Sequence, residues 1–202
     1  MSVVTLVSGG LDSALLAVMV KGQRVTQYPL FLDYGQRASE REWVACRTVL
    51  RRHRVPTPTR LDISGYGRLI KSGLTTRQAK LKEEAFLPGR NLVFLLFAAA
   101  YAVQKRADAV GIGLLNDSTH LFPDQTADFV QTAEHAIAVA MGKRIAVLTP
   151  MMVFSKADVL ELAAQRRITG TYSCHAGTKT PCGKCISCLE ILSASRGGKN
   201  GR

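Results

Sequence analysis

No apolar run in this chain approaches the roughly 20 residues of a membrane span. The longest, residues 92–103, lies between Arg90 and Lys105. No charged leader precedes the first apolar run, because Met1-Ser2 passes straight into it. A secretory signal is therefore not expected, no membrane partner is expected, and the cytoplasm is the expected compartment. Acidic residues are scarce, 15 against 27 basic ones, which leaves a net charge of +12. That balance disfavours cationic ligands and favours nucleotide phosphates, carboxylates, nucleic acid or an acidic protein partner. Aromatic residues make up only 6% of the chain. None interleaves with the basic runs at 51–54, 80–82, 105–106, 166–167 and 196–202, so no stacking platform for single strands is visible. These runs read equally as solvated helix ends. There is no internal repeat, and the GxxxxGK[ST] spacing of the Walker loop is missing with its lysine.

What is present is globular. Hydrophobic residues supply 47% of 202 positions, enough for one well-filled domain. Strand patterns at 3–7, 28–33, 57–63, 109–113 and 145–148 alternate with helical patterns at 13–20, 40–51, 91–106, 126–141 and 156–166. This alternation predicts an α/β fold, a doubly wound parallel sheet covered on both faces. Residues 64–88 show weak periodicity and many charges, and read as a long, mobile excursion of the kind that forms lids. The domain is expected to span 1–192, with a flexible basic tail at 193–202.

Two clusters carry chemistry. The first is Ser8-Gly9-Gly10-Leu11-Asp12-Ser13, directly after the run Val3-Val4-Thr5-Leu6-Val7. A strand stopping at Ser-Gly-Gly before a helix lets the backbone approach a ligand without Cβ interference. The helix start then aims N–H groups and its positive dipole end at that ligand. Ser8 and Ser13 add hydroxyls, which makes a phosphate cradle; the competing reading is an ordinary strand–turn–helix junction. The second cluster is Cys174, Cys182, Cys185 and Cys188, four of five cysteines within fifteen residues. Four thiols at this spacing suit a structural Zn2+ in tetrahedral geometry, with an iron–sulfur cluster as rival and redox thiols as a third reading. His175 reads as a surface or substrate-side residue beside them. Cys46, alone in a helical pattern, reads as core.

The loop resembles the pyrophosphate loop of the N-type ATP pyrophosphatases, which cleave ATP between the α and β phosphates. With the cysteine cluster, the whole chain from Val4 to about Leu192 resembles the 7-cyano-7-deazaguanine synthase (QueC) family. The landmarks run in order: Ser8 to Ser13, Asp33-Tyr34-Gly35-Gln36-Arg37, Pro88-Gly89-Arg90-Asn91, Gly111, Pro123-Asp124, Pro150 with Ser155-Lys156, and Thr171-Tyr172-Ser173-Cys174 leading into Cys182-Gly183-Lys184-Cys185. The resemblance implies an adenine-nucleotide-hydrolase-like (PP-loop, Rossmann-like) sheet with a C-terminal four-cysteine zinc knot at 174–188. It implies an ATP-dependent carbon–nitrogen ligase. ATP adenylates the carboxylate of 7-carboxy-7-deazaguanine, ammonia displaces AMP to give an amide, and a second ATP drives dehydration to the nitrile, with AMP and pyrophosphate released.

Carried onto this chain, the resemblance implies catalytic roles for Asp12, Ser13, Arg90 and Lys156. Nucleotide contacts fall to Ser8, Gly9, Gly10, Leu11, Asp12, Ser13, Tyr34, Gln36, Arg90, Asn91 and Asp124. Asp12 would orient Mg2+, and Arg90 and Lys156 would stabilise phosphate charge. Asn91 reads equally as a helix cap or a ligand contact. A homodimer is implied, and ammonia would arrive free or from elsewhere, since no glutaminase domain is fused within the 202 residues.

One stretch departs from the pattern. Where the family reads close to Ser-Gly-Tyr-Pro-Asp-Cys-Arg against the deazaguanine, this chain has Asn116 to Pro123-Asp124-Gln125-Thr126, with His120 and Phe122 new. Losing an arginine there removes a fixed charge. QueC-like proteins of antiviral defence systems share the pattern, and that alternative transfers the activated carboxylate to an amine of a partner protein. Weaker alternatives are a tRNA-modifying enzyme of the same loop class, which lacks a spare reactive thiol here, and a non-catalytic zinc-containing binding module.

Overall fold

The computed structural model describes residues 1–116 and 122–197. Five strands, β1 (Ser2–Leu6), β2 (Thr26–Asp33), β3 (Thr59–Asp62), β4 (Ala109–Gly111) and β5 (Ala146–Leu148), form one sheet in the order β3-β2-β1-β4-β5. Every neighbouring pair is parallel. The helices are α1 (Leu11–Gly22), α2 (Ser39–Arg52), α3 (Ser64–Leu69), α4 (Arg90–Lys105), α5 (Ala127–Met141), α6 (Lys156–Gln165) and α7 (Ile186–Gly197). Each expected strand and helix is present with shifted ends.

Period-2 alternation divides the strands between two cores. Val4 and Leu6 of β1 with Leu30 and Leu32 of β2 pack under α4 and α5, against Leu95, Ala99 and Ile137. The intervening Phe31 points to the opposite face, with Val7, Ala17, Cys46 and Leu50. Leu15, Leu16, Val49 and Val159 extend that second layer through α1, α2 and α6. Cys46 is a core residue, as its helical setting predicts. No helix among the described residues is long and apolar enough to cross a membrane.

Chain order reverses at β1, whose neighbours are β2 on one side and β4 on the other. Parallel sheets bind ligands outside the carboxyl ends of strands at such a switch point. The Ser8 to Ser13 loop leaves β1 there.

Two expectations need correction. Residues 64–88 are docked rather than a mobile excursion: after α3, Leu74, Ala85 and Leu87 are buried against Tyr34, and Arg37 N donates to Leu74 O at 2.8 Å. Their burial comes from a satellite core that has no sequence period. The C-terminal segment is helical through Gly197, so α7 overlaps the stretch expected to be a loose tail; residues 198–202 lie outside those described.

Candidate active site

The loop after β1 is shaped by its own hydroxyls. Ser8 N donates to Ser13 Oγ at 3.0 Å, the two hydroxyls lie 3.1 Å apart, Gly10 N donates to Ser8 Oγ at 3.3 Å, and Ser13 Oγ donates to Gly10 O at 3.2 Å. Gly9 has φ +81°, and a Cβ there would lie 2.2 Å from the Glu42 carbonyl oxygen. Only glycine fits, because the loop rests directly on the backbone of α2. Gly10, extended and without a side-chain cap, opens α1, whose first N–H groups face the carboxyl edge of the sheet.

A second helix start converges on the same place. Ser155 caps α6, accepting from Asp158 N at 3.2 Å while Asp158 Oδ2 accepts from Ser155 N at 2.8 Å. The next residue, Lys156, donates to both carboxylate oxygens of Asp12 at 2.8 and 2.9 Å. With 15% and 30% side-chain exposure, this pair is half-shielded from water and held in one geometry.

The loop opens into a cavity of about 280 Å³, which Tyr34, Gln36, Glu42, Arg90, Asn91 and His175 also line. Arg90 is the first residue of α4, placed by Gly89 in the left-handed region (φ +72°), and its guanidinium lies over the Phe94 ring, 6.0 Å from the centroid. Tyr34 packs on Phe94 at 5.2 Å between centroids, and burial pushes its hydroxyl up to about 12. Gln36 is fully engaged: its Oε1 accepts from Tyr34 N at 2.9 Å, and its Nε2 donates to Leu32 O and to Glu42 Oε2 at 3.4 and 2.9 Å. It braces the wall.

Asn91 is not the cap of α4, since Gly89 holds that position. It is buried, its backbone N–H donates to Asp124 Oδ2 at 3.1 Å, and its Nδ2 donates to Asp124 O at 2.8 Å. Asn91 reaches the cavity wall, whereas Asp124 sits behind it and Lys156 reaches the site through Asp12. Of the atypical loop, 117–121, including His120, lies outside the described residues. Phe122 and Gln125 line the cavity, and Thr126 caps α5 by accepting from Phe129 N at 3.1 Å.

The segment that carries the cysteine cluster supplies a further wall through Tyr172, Ser173, His175 and Ser187. The four Sγ atoms of Cys174, Cys182, Cys185 and Cys188 lie within 4.8 Å of one another. Zinc–sulfur bonds of about 2.3 Å in a tetrahedron place sulfurs roughly 3.8 Å apart, so small adjustments close the set around one ion. Backbone N–H groups already point at the sulfurs: Cys182 N at Cys174 Sγ (3.3 Å), and Lys184 N and Cys185 N at Cys182 Sγ (3.4 Å each). The knot is tied to the loop by Tyr172 N, which donates to Gly9 O at 2.9 Å, and to α2 by Arg41 Nε, which donates to Gly177 O at 2.9 Å. Ser173, His175, Ser187 and Glu190 thereby join the cavity wall. His175 faces the cavity rather than the surface. Burial, with the Arg90 and Lys156 cations nearby, pushes its imidazole down to about 4.

The sequence reading missed Glu42 and Glu190. Glu42 had a signal: with Ala45, Cys46, Val49 and Leu50 it falls on the buried face of α2 at helical spacing. Burial pushes its carboxyl up to about 7.

Among solved structures, a 4-thiouridine synthetase–RNA complex with bound ATP shares the fold, with a TM-score of 0.54 at 17% identity over 96% of this chain and 50% of that one. A 7-cyano-7-deazaguanine synthase of Persephonella marina is 32% identical over 96% of this chain and 92% of its own length. Another, from Campylobacter concisus, is 30% identical over 94% and 91%. The family model for queuosine biosynthesis protein QueC matches residues 2–196. With that match running from β1 through α7, the chain belongs to the QueC family.

Proposed function

We propose that this protein is an ATP-dependent carbon–nitrogen ligase that adenylates the carboxylate of 7-carboxy-7-deazaguanine and carries it, through the amide, to 7-cyano-7-deazaguanine. The observation that carries the reading is the convergence of the loop, the Asp12–Lys156 pair and Arg90 on one cavity at the switch point. The start of α1 and the loop N–H groups would hold the β and γ phosphates as leaving pyrophosphate. Arg90, and Lys156 beside Asp12, would stabilise charge at the α phosphorus as the carboxylate attacks. Magnesium, when bound, would neutralise phosphate charge, and Asp12 is the carboxylate placed to orient it. Tyr34 and Phe94 offer flat apolar surface for a purine.

Zinc is the metal we assign to the cysteine knot, whose all-sulfur donor set and lack of a separate reactive thiol fit a structural site. Its work is to hold Ser173, His175 and Ser187 in the wall. Ammonia is the proposed nucleophile. A homodimer is the proposed assembly, supported by exposed Phe97 and Val103 on α4.

A second reading, amide transfer to an amine of a partner protein, draws support from the wall at Phe122 to Thr126. No arginine stands there, and Thr126 is occupied in capping α5. The test is to supply ATP, ammonium and 7-carboxy-7-deazaguanine and weigh the products. Nitrile formation that disappears in Asp12→Ala and Ser13→Ala supports the proposal. Amide without nitrile favours the second reading, and pyrophosphate release surviving both substitutions overturns the catalytic assignment.

A further inference from the structure

Adenylation uses phosphate-binding groups and leaves the half-buried carboxylate of Glu42 without a task. Glu42 lines the cavity from α2, and its backbone carbonyl is the group against which Gly9 packs. The residue thus sits against the phosphate loop, and it lines the same cavity as Ser8, Gly10 and Ser13. Its Oε2 accepts from Gln36 Nε2 at 2.9 Å, and Gln36 is itself held by Tyr34 N and Leu32 O. That chain of bonds fixes the carboxylate in one orientation. A brace for Gln36 would not need an ionisable group, and withdrawing a carboxylate even partly from water is unfavourable unless its charge is paired or hydrogen-bonded.

The groups facing it come from every neighbouring element. Arg90 at the start of α4 and Asp33 at the end of β2 act on it directly. Tyr34, Tyr172 ahead of the cysteine knot, and Cys46 one turn along α2 feel its charge. Burial is the largest influence and raises the carboxyl to about 7, with Gln36 and Arg90 opposing and Asp33 reinforcing. Groups titrating near the working pH make effective general bases.

We propose that Glu42 is the general base of the amine step, taking a proton from the nucleophile's nitrogen as that nitrogen attacks the activated carbonyl carbon. This rests on the adenylating function proposed above. The C–N bond forms, the bond from the carbonyl carbon to the AMP oxygen breaks, and AMP departs with the electron pair. The nitrogen's surplus proton moves to a Glu42 oxygen and from there to solvent.

The test separates the half-reactions. Pyrophosphate exchange into ATP, driven by 7-carboxy-7-deazaguanine, reads adenylation; amide yield with ammonium reads the second step. Glu42→Gln is expected to keep exchange within about twofold and to lower amide formation on the order of 100-fold, the scale of a lost general base. At constant free ammonia, the wild-type amide rate should rise with pH through an inflection near 7, and the variant should lack that inflection. Amide formation at the wild-type rate in Glu42→Gln overturns the proposal. So does an equal loss of both half-reactions, which would mark a brace. If the variant does not fold, the wild-type profile decides: an inflection in the amide step but not in exchange supports the base, and its absence rejects it. Wild-type protein that shows no exchange overturns the functional reading, and this proposal with it.

Discussion

A hydrogen bond from Tyr172 N to Gly9 O joins the phosphate loop to the segment that leads into the cysteine knot, yet loop and knot are held in opposite ways. The loop is anchored between a central strand and two helices, and its shape is fixed by Ser8, Ser13 and the contact of Gly9 with α2. It needs no ion to exist. The knot has a small core of Cys174, Cys185 and Cys188, with Leu81 and Tyr172 packed on it, and no strand passes through it. Four sulfurs at this density suit a metal, whose binding energy would then become folding energy. One wall of the cavity is preformed by the sheet, while the other, on the zinc assignment proposed above, would depend on a metal.

The largest effect should come from breaking the knot. Cys185→Ser, or removal of the metal by a chelator, is expected to release residues 172–190 while leaving the sheet folded, since metal binding in small structural sites is worth roughly 10 kcal/mol. Hydrogen exchange should show fast amides in that segment and slow ones in β1 and β4. Uniform protection after metal removal would contradict the contrast between the two walls.

The next largest is on the loop side. Gly9→Ala forces a Cβ against the Glu42 carbonyl in the left-handed region and should cost about 3 kcal/mol or more, read from urea denaturation. A cost below about 1 kcal/mol would mean that the loop is looser than described. Lys156→Ala should lower pyrophosphate release on the order of 100-fold with little change in the melting temperature, because its partner Asp12 keeps water access. Asn91→Ala removes the bond to Asp124 O and should destabilise by about 1–2 kcal/mol.

A further effect is a pH dependence. Glu42 titrates near 7 when folded and near the ordinary 4.5 when unfolded, so the folded state binds the extra proton between those values. Its contribution to stability is therefore most favourable below about 4.5, declines as pH rises to about 7, and is level beyond. Glu42→Gln should show a shallower decline in unfolding free energy across that window, and parallel curves would contradict the burial of this carboxylate.

Much of this was legible in the sequence because strands and helices alternate with clean periods. Val4 and Leu6 against Phe31 show which way each strand faces, and the loop and knot carry their chemistry in contiguous residues. Three features were not legible. Residues 64–88 are ordered by contacts with Tyr34, which no local pattern reveals. The helix α7 begins at Ile186, inside the cysteine spacing, so the thiols masked its start. Glu42 reads as one more charge on a charged helix until its face is seen to match that of Ala45 and Cys46. Of the residues placed near the ligand by motif, Gln36 lines the cavity while bonded to Glu42, and Asp124 bonds to Asn91.

The central claim, that the loop cleaves ATP to release pyrophosphate, is tested most directly by a single turnover with ATP labelled at the γ phosphate in the presence of 7-carboxy-7-deazaguanine. Label recovered as pyrophosphate, matched by AMP and dependent on the deazapurine, is the predicted result. Label recovered as inorganic phosphate with ADP, or pyrophosphate formed at the same rate without the deazapurine, would contradict it.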